Sequence, residues 1–251
     1  MAPLWVSQNF LTSSSVVNRI IQLSSISKSD HVVEIGPGKG HITRRLIEKS
    51  GQVTAVEYDP SLYGQLLRRF QDSGNLQCIH ADFLRWPLPK TPYKIFANIP
   101  FHRTTEIIKR ITQSANPPDD AWLIVEKGAS KRITGRQAES TLSLLIKPQF
   151  DAEICYHFRR EDFHPSPSVE VVLLHLHKKA GSDIETSLLP AYRKFITDCR
   201  AAPNGIRNYL TKKQVSTALR LAKLSSDTVS GEMLYVQWLC LFRCCLQFKR
   251  V

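Results

Sequence analysis

The sequence predicts an α/β fold, with a mostly parallel seven-stranded sheet followed by a small α-helical domain. Three observations carry this. Short apolar runs alternate with amphipathic stretches through the first half of the chain, the pattern of crossover units that lay strands parallel. Polar residues stand at the carboxyl ends of successive apolar runs, where such sheets gather a ligand. Beyond about residue 180 the periodicity is helical only. The expected boundary therefore separates residues 1–178 from residues 179–251.

The elements follow in order. Val16, Val17, Ile20, Ile21 and Leu23 form an apolar stripe, so residues 12–24 are expected to be a helix that Thr12-Ser13-Ser14 can cap. Val32 to Ile35 is a strand that runs into a glycine-rich turn, and Ile42 to Lys49 is a helix. Val53 to Val56 is a second strand, ending at Glu57; Ser61 to Gln71 is a second crossover helix. Leu76 to Ile79 is a third strand, ending at Asp82, and Tyr93 to Ala97 is a fourth, ending at Asn98. Thr104 to Thr112 is helical, and Ala121 to Val125 is a fifth strand. Two more strands, near residues 151–158 and 169–177, complete the sheet as a hairpin-like pair. Leu188 to Cys199, Lys212 to Ala222 and Met233 to Leu246 are the helices of the second domain. Four strands thus deliver the glycine turn, Glu57, Asp82 and Asn98 to one rim.

Composition limits the function. A hydrophobic fraction of 42% argues against wholesale disorder. No apolar run is long enough to span a membrane. Residues 1–11 lack the basic and apolar regions of a secretory signal, so a cytoplasmic location is expected. The six cysteines include no CxxC pair and read as buried thiols; Cys240, Cys244 and Cys245 have no fourth partner at zinc-ligand spacing, and no metal is expected. The net charge is +12, a balance that attracts polyanions. Residues 178–251 carry 13 lysines and arginines against 5 acids, so the helical third is the more basic for its length. Nothing in the sequence demands more than a monomer.

The first turn reads Glu34-Ile35-Gly36-Pro37-Gly38-Lys39-Gly40. Its glycines let the backbone turn sharply and approach a ligand. It lacks the dinucleotide fingerprint, because His41 stands where the third glycine would be. Glu57 can accept hydrogen bonds from both ribose hydroxyls of a nucleoside, and Asp82 can accept from an adenine amino group. Tyr58 and Phe83 each follow one of these acids and can sandwich the adenine ring. The expected cofactor is S-adenosylmethionine, because the next motif suits methyl transfer and does not suit hydride transfer.

That motif is Asn98-Ile99-Pro100-Phe101. An exocyclic adenine amine is a poor nucleophile, because its lone pair is delocalised into the ring. Two acceptors on its N–H groups favour a tetrahedral nitrogen with the lone pair released. The Asn98 side-chain oxygen and the Ile99 main-chain carbonyl can supply them. Pro100 lacks an N–H and fixes the chain direction. Phe101 can stack on a flipped-out base. No strong general base is needed, since the methylated nitrogen can lose its proton to water, and in-line positioning supplies much of the rate.

Ser7-Gln8-Asn9-Phe10-Leu11, Glu34-Ile35-Gly36-Pro37-Gly38-Lys39-Gly40, Asn98-Ile99-Pro100-Phe101 and Phe163-His164-Pro165-Ser166-Pro167 together resemble the Erm ribosomal RNA adenine N6-methyltransferases. The resemblance covers essentially the whole chain. It implies a Rossmann-like class I methyltransferase fold and action on an adenine of 23S rRNA in the large subunit, which blocks macrolide, lincosamide and streptogramin B binding. It also implies that Asn9 and Leu11 close over the cofactor, with Gly36, Gly38, Glu57, Asp82 and Asn98 as further contacts, and that Phe101 and Phe163 hold the target adenine. Many members carry tyrosine at the position of Phe101, so only stacking is assigned there. The small-subunit dimethyladenosine transferases of the KsgA type are the sister reading; they usually carry Asn-Leu-Pro-Tyr and a proline-richer loop. A non-catalytic nucleic-acid-binding descendant is a third, and the intact cofactor constellation argues against it. Arg103, Lys131, Arg132, Arg136, Arg159 and Arg160 are expected to hold RNA phosphates around the pocket mouth.

Overall fold

The structure, a computed structural model, describes residues 9–225 and 233–248. Ser7 and Gln8 of the first motif therefore lie outside the described residues. The chain divides into two compact units. Of the described residues, one holds those through Ser130 together with Ala152–Lys178; the other holds Lys131–Asp151 together with those from Lys179 onward. Residues 131–151 thus pack with the helical unit, and the chain leaves and re-enters the sheet unit.

The elements run β1 (Phe10–Leu11), α1 (Ser14–Leu23), β2 (His31–Ile35), α2 (His41–Lys49), β3 (Gln52–Glu57), α3 (Pro60–Arg69), β4 (Leu76–His80), β5 (Lys94–Asn98), α4 (Thr104–Thr112) and β6 (Asp120–Glu126). Then come α5 (Lys127–Thr134), α6 (Thr141–Ile146), β7 (Phe150–His157), β8 (Phe163–His164), β9 (Val171–Lys178), α7 (Leu189–Ala201), α8 (Lys212–Leu221) and α9 (Tyr235–Gln247). Seven strands form one sheet in the order β4-β3-β2-β5-β6-β9-β7. The strands from β4 to β6 pair in parallel, and β9 runs antiparallel to β6. The sheet is thus the expected Rossmann-like one.

The central strands are buried on both faces, which is why they read as continuous apolar runs without alternation. In β6 every residue from Asp120 to Val125 is buried, whereas edge strand β4 buries none of its residues completely. Trp122 of β6 stacks on Phe96 of β5 and on His175 of β9, with ring centroids 6.4 and 4.8 Å apart. At the amino end of β6, Asp120 Oδ1 accepts from His175 Nε2 and His177 Nδ1, both at 2.8 Å. Burial pushes this carboxyl up, but these bonds and one from Ser25 outweigh it and hold the group well below the usual carboxylate range.

Local signals place the helices. Ser13 caps α1 by accepting from Val16 N, and Asp59 caps α3 by accepting from the amides of Ser61 and Leu62, with Pro60 at the first helical position. The cap at Asp59 ends the turn that begins at Glu57.

The strand order reverses at β2, which has β3 on one side and β5 on the other. The crevice outside the carboxyl ends of strands at such a point is where ligands bind in this architecture.

The second unit has its own core. Tyr192, Phe195, Trp238 and Phe242 are fully buried in it, and Phe195 meets both Trp238 and Phe242. Glu139 is buried here with Lys147 as its partner, and Tyr192 donates to the Leu144 carbonyl at 3.1 Å. Among the described residues no helix is long and apolar enough to cross a membrane. Among the described residues no disulfide joins the six cysteines.

Candidate active site

The crevice at the strand-order reversal is a cleft lined by three chain segments. Asn9, Phe10 and Leu11 form one wall, Glu34, Gly36, Pro37, Lys39 and His41 with Ile42 a second, and Asn98, Ile99, Pro100 and Phe101 a third. It encloses about 60 Å³ and is otherwise open to solvent. The sheet brings the second and third walls together, because β2 and β5 are parallel neighbours with Ile35 opposite Ala97.

The first wall is held differently. Leu11 pairs with Phe163 and Phe10 with His164, a two-residue antiparallel clasp between β1 and β8. Thr12 adds a main-chain bond to the Asp162 carbonyl at 2.9 Å. The N-terminal segment and the Phe163 loop therefore form one body, although 150 residues separate Thr12 from Asp162.

The glycine turn is built for close approach. Gly36, Gly38 and Gly40 all have positive φ, between +57° and +77°. At Gly38 an added Cβ would stand 2.8 Å from the Phe10 ring, so the first wall packs directly on the turn. At Gly36 an added Cβ would meet nothing within 4 Å: this glycine faces the open cleft. It leaves a space that no described side chain fills and that a ligand can occupy. Glu57 supports the turn from below. It is 3% exposed; its Oε2 accepts from Gly38 N at 3.0 Å and its Oε1 from Asp59 N at 2.9 Å. Each carboxylate oxygen keeps a second acceptor site for a ribose hydroxyl.

Asn98 carries the most informative bond in the cleft. Its Nδ2 donates to the Asn9 carbonyl at 2.8 Å. The donor side of the amide is therefore committed to the first wall, which leaves Oδ1 as an acceptor. Phe101, half-buried, shares the wall.

Other expected site residues fall outside this cleft lining. Asp82 accepts from Leu84 N at 3.0 Å and lies 3.6 Å from the Arg103 guanidinium, which also faces Glu106 at 3.5 Å. Arg103, expected to hold an RNA phosphate at the pocket mouth, is thus paired with Asp82 and Glu106. Tyr58 is 57% exposed, while Phe83 is buried and lies 6.4 Å from the Trp86 ring, so the two rings are not an open sandwich. Phe163 is 3% exposed and packs edge-on against Phe158 at 5.3 Å. Stacking on a target base requires this ring to be uncovered. Arg159 and Arg160 are exposed beside it; Arg159 faces Glu161, and Arg160 donates to the Ser168 carbonyl. Lys131, Arg132 and Arg136 are exposed and belong to the second unit.

Phe10, Lys39, His41 and Glu34 line the cleft although the sequence did not single them out as site residues. Glu34 is 1% exposed, and its Oε2 has no hydrogen-bond partner among the described residues. Burial pushes its carboxyl up to about 8; the Glu57 charge acts in the same direction and the Thr43 hydroxyl only partly opposes.

The residues fit S-adenosylmethionine: a bare glycine faces the cleft, acids sit at the ends of β3 and beyond β4, and an amide oxygen is presented beside them. Gly36→Ala is expected to leave the fold standing, with about 1 kcal/mol of strain from its left-handed φ. It should weaken binding of S-adenosylhomocysteine about tenfold or more, because the methyl fills ligand space, a difference of about 1.4 kcal/mol. Calorimetric titration checks this; undiminished affinity would place the ligand elsewhere.

The chain matches the family described as ribosomal RNA adenine dimethylase over residues 5–237. It is 35% identical over 245 residues to an rRNA adenine N-6-methyltransferase from Escherichia coli, covering 97% of this chain and 96% of the relative. A protein of the same name from Enterococcus faecalis is equally similar, at 35% over 245 residues and the same coverage. Among solved structures, the 23S rRNA methyltransferase ErmE superposes with a TM-score of 0.83 at 26% identity, covering 95% of this chain and 100% of that one. A dimethyladenosine transferase from Plasmodium falciparum shares the fold, with a TM-score of 0.76 at 20% identity and coverage of 96% and 97%.

Proposed function

The chain belongs to the ribosomal RNA adenine dimethylase family and is an S-adenosylmethionine-dependent rRNA adenine N6-methyltransferase, and from that premise we propose that its target is an adenine of 23S rRNA in the large ribosomal subunit. Methylation there confers resistance to macrolide, lincosamide and streptogramin B antibiotics. The enzyme acts in the cytoplasm as a monomer.

The observation that carries the reading is the orientation of Asn98. With Nδ2 bound to the Asn9 carbonyl, Oδ1 is the acceptor that an adenine amine needs. S-adenosylmethionine, when bound, supplies a methyl group already activated by its sulfonium. Asn98 Oδ1 and the Ile99 carbonyl accept the two N–H groups of the amine and draw its nitrogen toward a tetrahedral shape. Pro100 keeps this corner rigid, and Phe101 offers a ring face to the base. The amine nitrogen forms the new bond to carbon as the carbon–sulfur bond breaks, and the methylated nitrogen then gives its proton to water. The choice of the large subunit rests on Ile99 and Phe101, on the Phe163-His164-Pro165-Ser166-Pro167 loop, and on the likeness to ErmE.

The test is expression in a bacterium susceptible to these drugs. Inhibitory concentrations of a macrolide, a lincosamide and a streptogramin B should rise together, and Asn98→Ala should abolish all three increases. No increase from soluble, cofactor-binding protein would contradict the large-subunit assignment.

A further inference from the structure

Beside the cleft lies a second cavity, of about 70 Å³, with a different chemistry. Its lining includes His41, Arg44 and Arg45 of α2, Arg69 at the end of α3, and Thr12 and Ser14 where the chain enters α1. Three guanidiniums converge there, with two hydroxyls. Among the described residues Glu48 is the one acid paired with them, 2.6 Å from Arg45 and 3.7 Å from Arg44, and it is half exposed. Arg69 donates to the Lys39 carbonyl and so is anchored to the glycine turn. Burial, and then the charges of Arg69 and Lys39, hold His41 below its ordinary value, so it serves as a neutral hydrogen-bonding group near pH 7. A concave arginine cluster of this kind suits an oxyanion, and planar guanidinium forks suit phosphate above all.

Its position says which phosphate. His41 lines both this cavity and the Asn98 cleft. Thr12 lines the cavity and is bonded through both its amide and its hydroxyl to the Asp162 carbonyl, next to Phe163. The cavity therefore adjoins the target-base cleft and the clasp that closes it, all within the sheet unit.

We propose that this arginine-lined cavity holds a backbone phosphate of the RNA strand that carries the target adenine, and so fixes how far that base reaches toward Asn98. The inference deepens the reading of the chain as an rRNA methyltransferase and rests on it. None of these four residues is among those that the sequence assigns to RNA, because two separate segments, α2 and α3, bring them together.

The test compares the native enzyme with Arg44→Gln/Arg45→Gln, and with Lys28→Gln/Lys90→Gln as a matched loss of two exposed charges away from the cavity. Each is measured for methyl transfer to unmodified 23S rRNA, for binding to 23S and 16S transcripts across a salt series, and for S-adenosylhomocysteine affinity. The cavity double variant should raise KM for RNA about tenfold and lower the slope of log affinity against log salt by about 1. Its cofactor affinity should be unchanged, and the matched control should keep the native KM. Equal KM in the cavity variant and the native enzyme, or equal losses in both double variants, would overturn the proposal. So would RNA binding indifferent to the substitutions when inorganic phosphate raises the melting temperature of the native protein alone, which would make the cavity a small-anion site. Native transfer to 16S rRNA alone, with the salt slope still lowered by the cavity substitutions, would remove the large-subunit assignment and keep the phosphate site.

Discussion

Replacing Asn98 with alanine is expected to lower single-turnover methyl transfer by about 100- to 1,000-fold, the usual cost of removing one preorganised polar group aimed at a reacting centre. Two losses combine. The acceptor for the amine goes, so the nitrogen lone pair stays in the ring. The donor to the Asn9 carbonyl also goes, so the N-terminal wall loses its bond to the end of β5. Asn98→Asp separates them: it keeps an acceptor, adds a charge and loses the donor. It should retain more activity than Asn98→Ala at saturating cofactor. Rapid-quench measurement of labelled methyl in RNA reads both. Near-native transfer by Asn98→Ala would remove this residue from the chemistry.

Glu34→Gln should change the pH dependence of stability more than any other single substitution in the cleft. The native carboxyl sits near 8 when folded, against about 4.3 for an unperturbed glutamate. The folded state therefore binds a proton that the unfolded state releases. Stability is full below about pH 4, falls as pH rises toward 8, and levels off above that. The total loss across this window is on the order of 5 kcal/mol. Glutamine matches the neutral acid in shape and does not titrate, so this decline disappears in the variant. At pH 8 Glu34→Gln should melt above the native protein, and at pH 5 the two should nearly coincide. Thermal melts from pH 5 to pH 9 check this. Parallel profiles would mean that Glu34 stays ionised in the fold.

The sheet was legible because its central strands are buried on both faces and appear as uninterrupted apolar runs. Glu57 and Asn98 could be placed because a residue that ends such a run stands at the rim. Other features leave no local trace. The clasp of Phe10–Leu11 on Phe163–His164 is too short for any periodicity and joins segments 150 residues apart. Residues 131–151 follow β6 in the chain but pack with the helical unit, because contacts made by distant helices decide their place. Phe83 and Phe163 show the limit of residue type as a signal. An aromatic ring serves a core as readily as a base, and both are buried. Arg44, Arg45 and Arg69 read as separate surface charges until α2 and α3 set them around one cavity.

The most direct test of the central claim is transfer of labelled methyl from S-adenosylmethionine to purified, unmodified 23S and 16S rRNA side by side, with Asn98→Ala as control. Label in N6-methylated adenine of 23S rRNA alone, absent with the control enzyme, is the predicted result. Label in 16S rRNA alone, or equal label with Asn98→Ala, would contradict it.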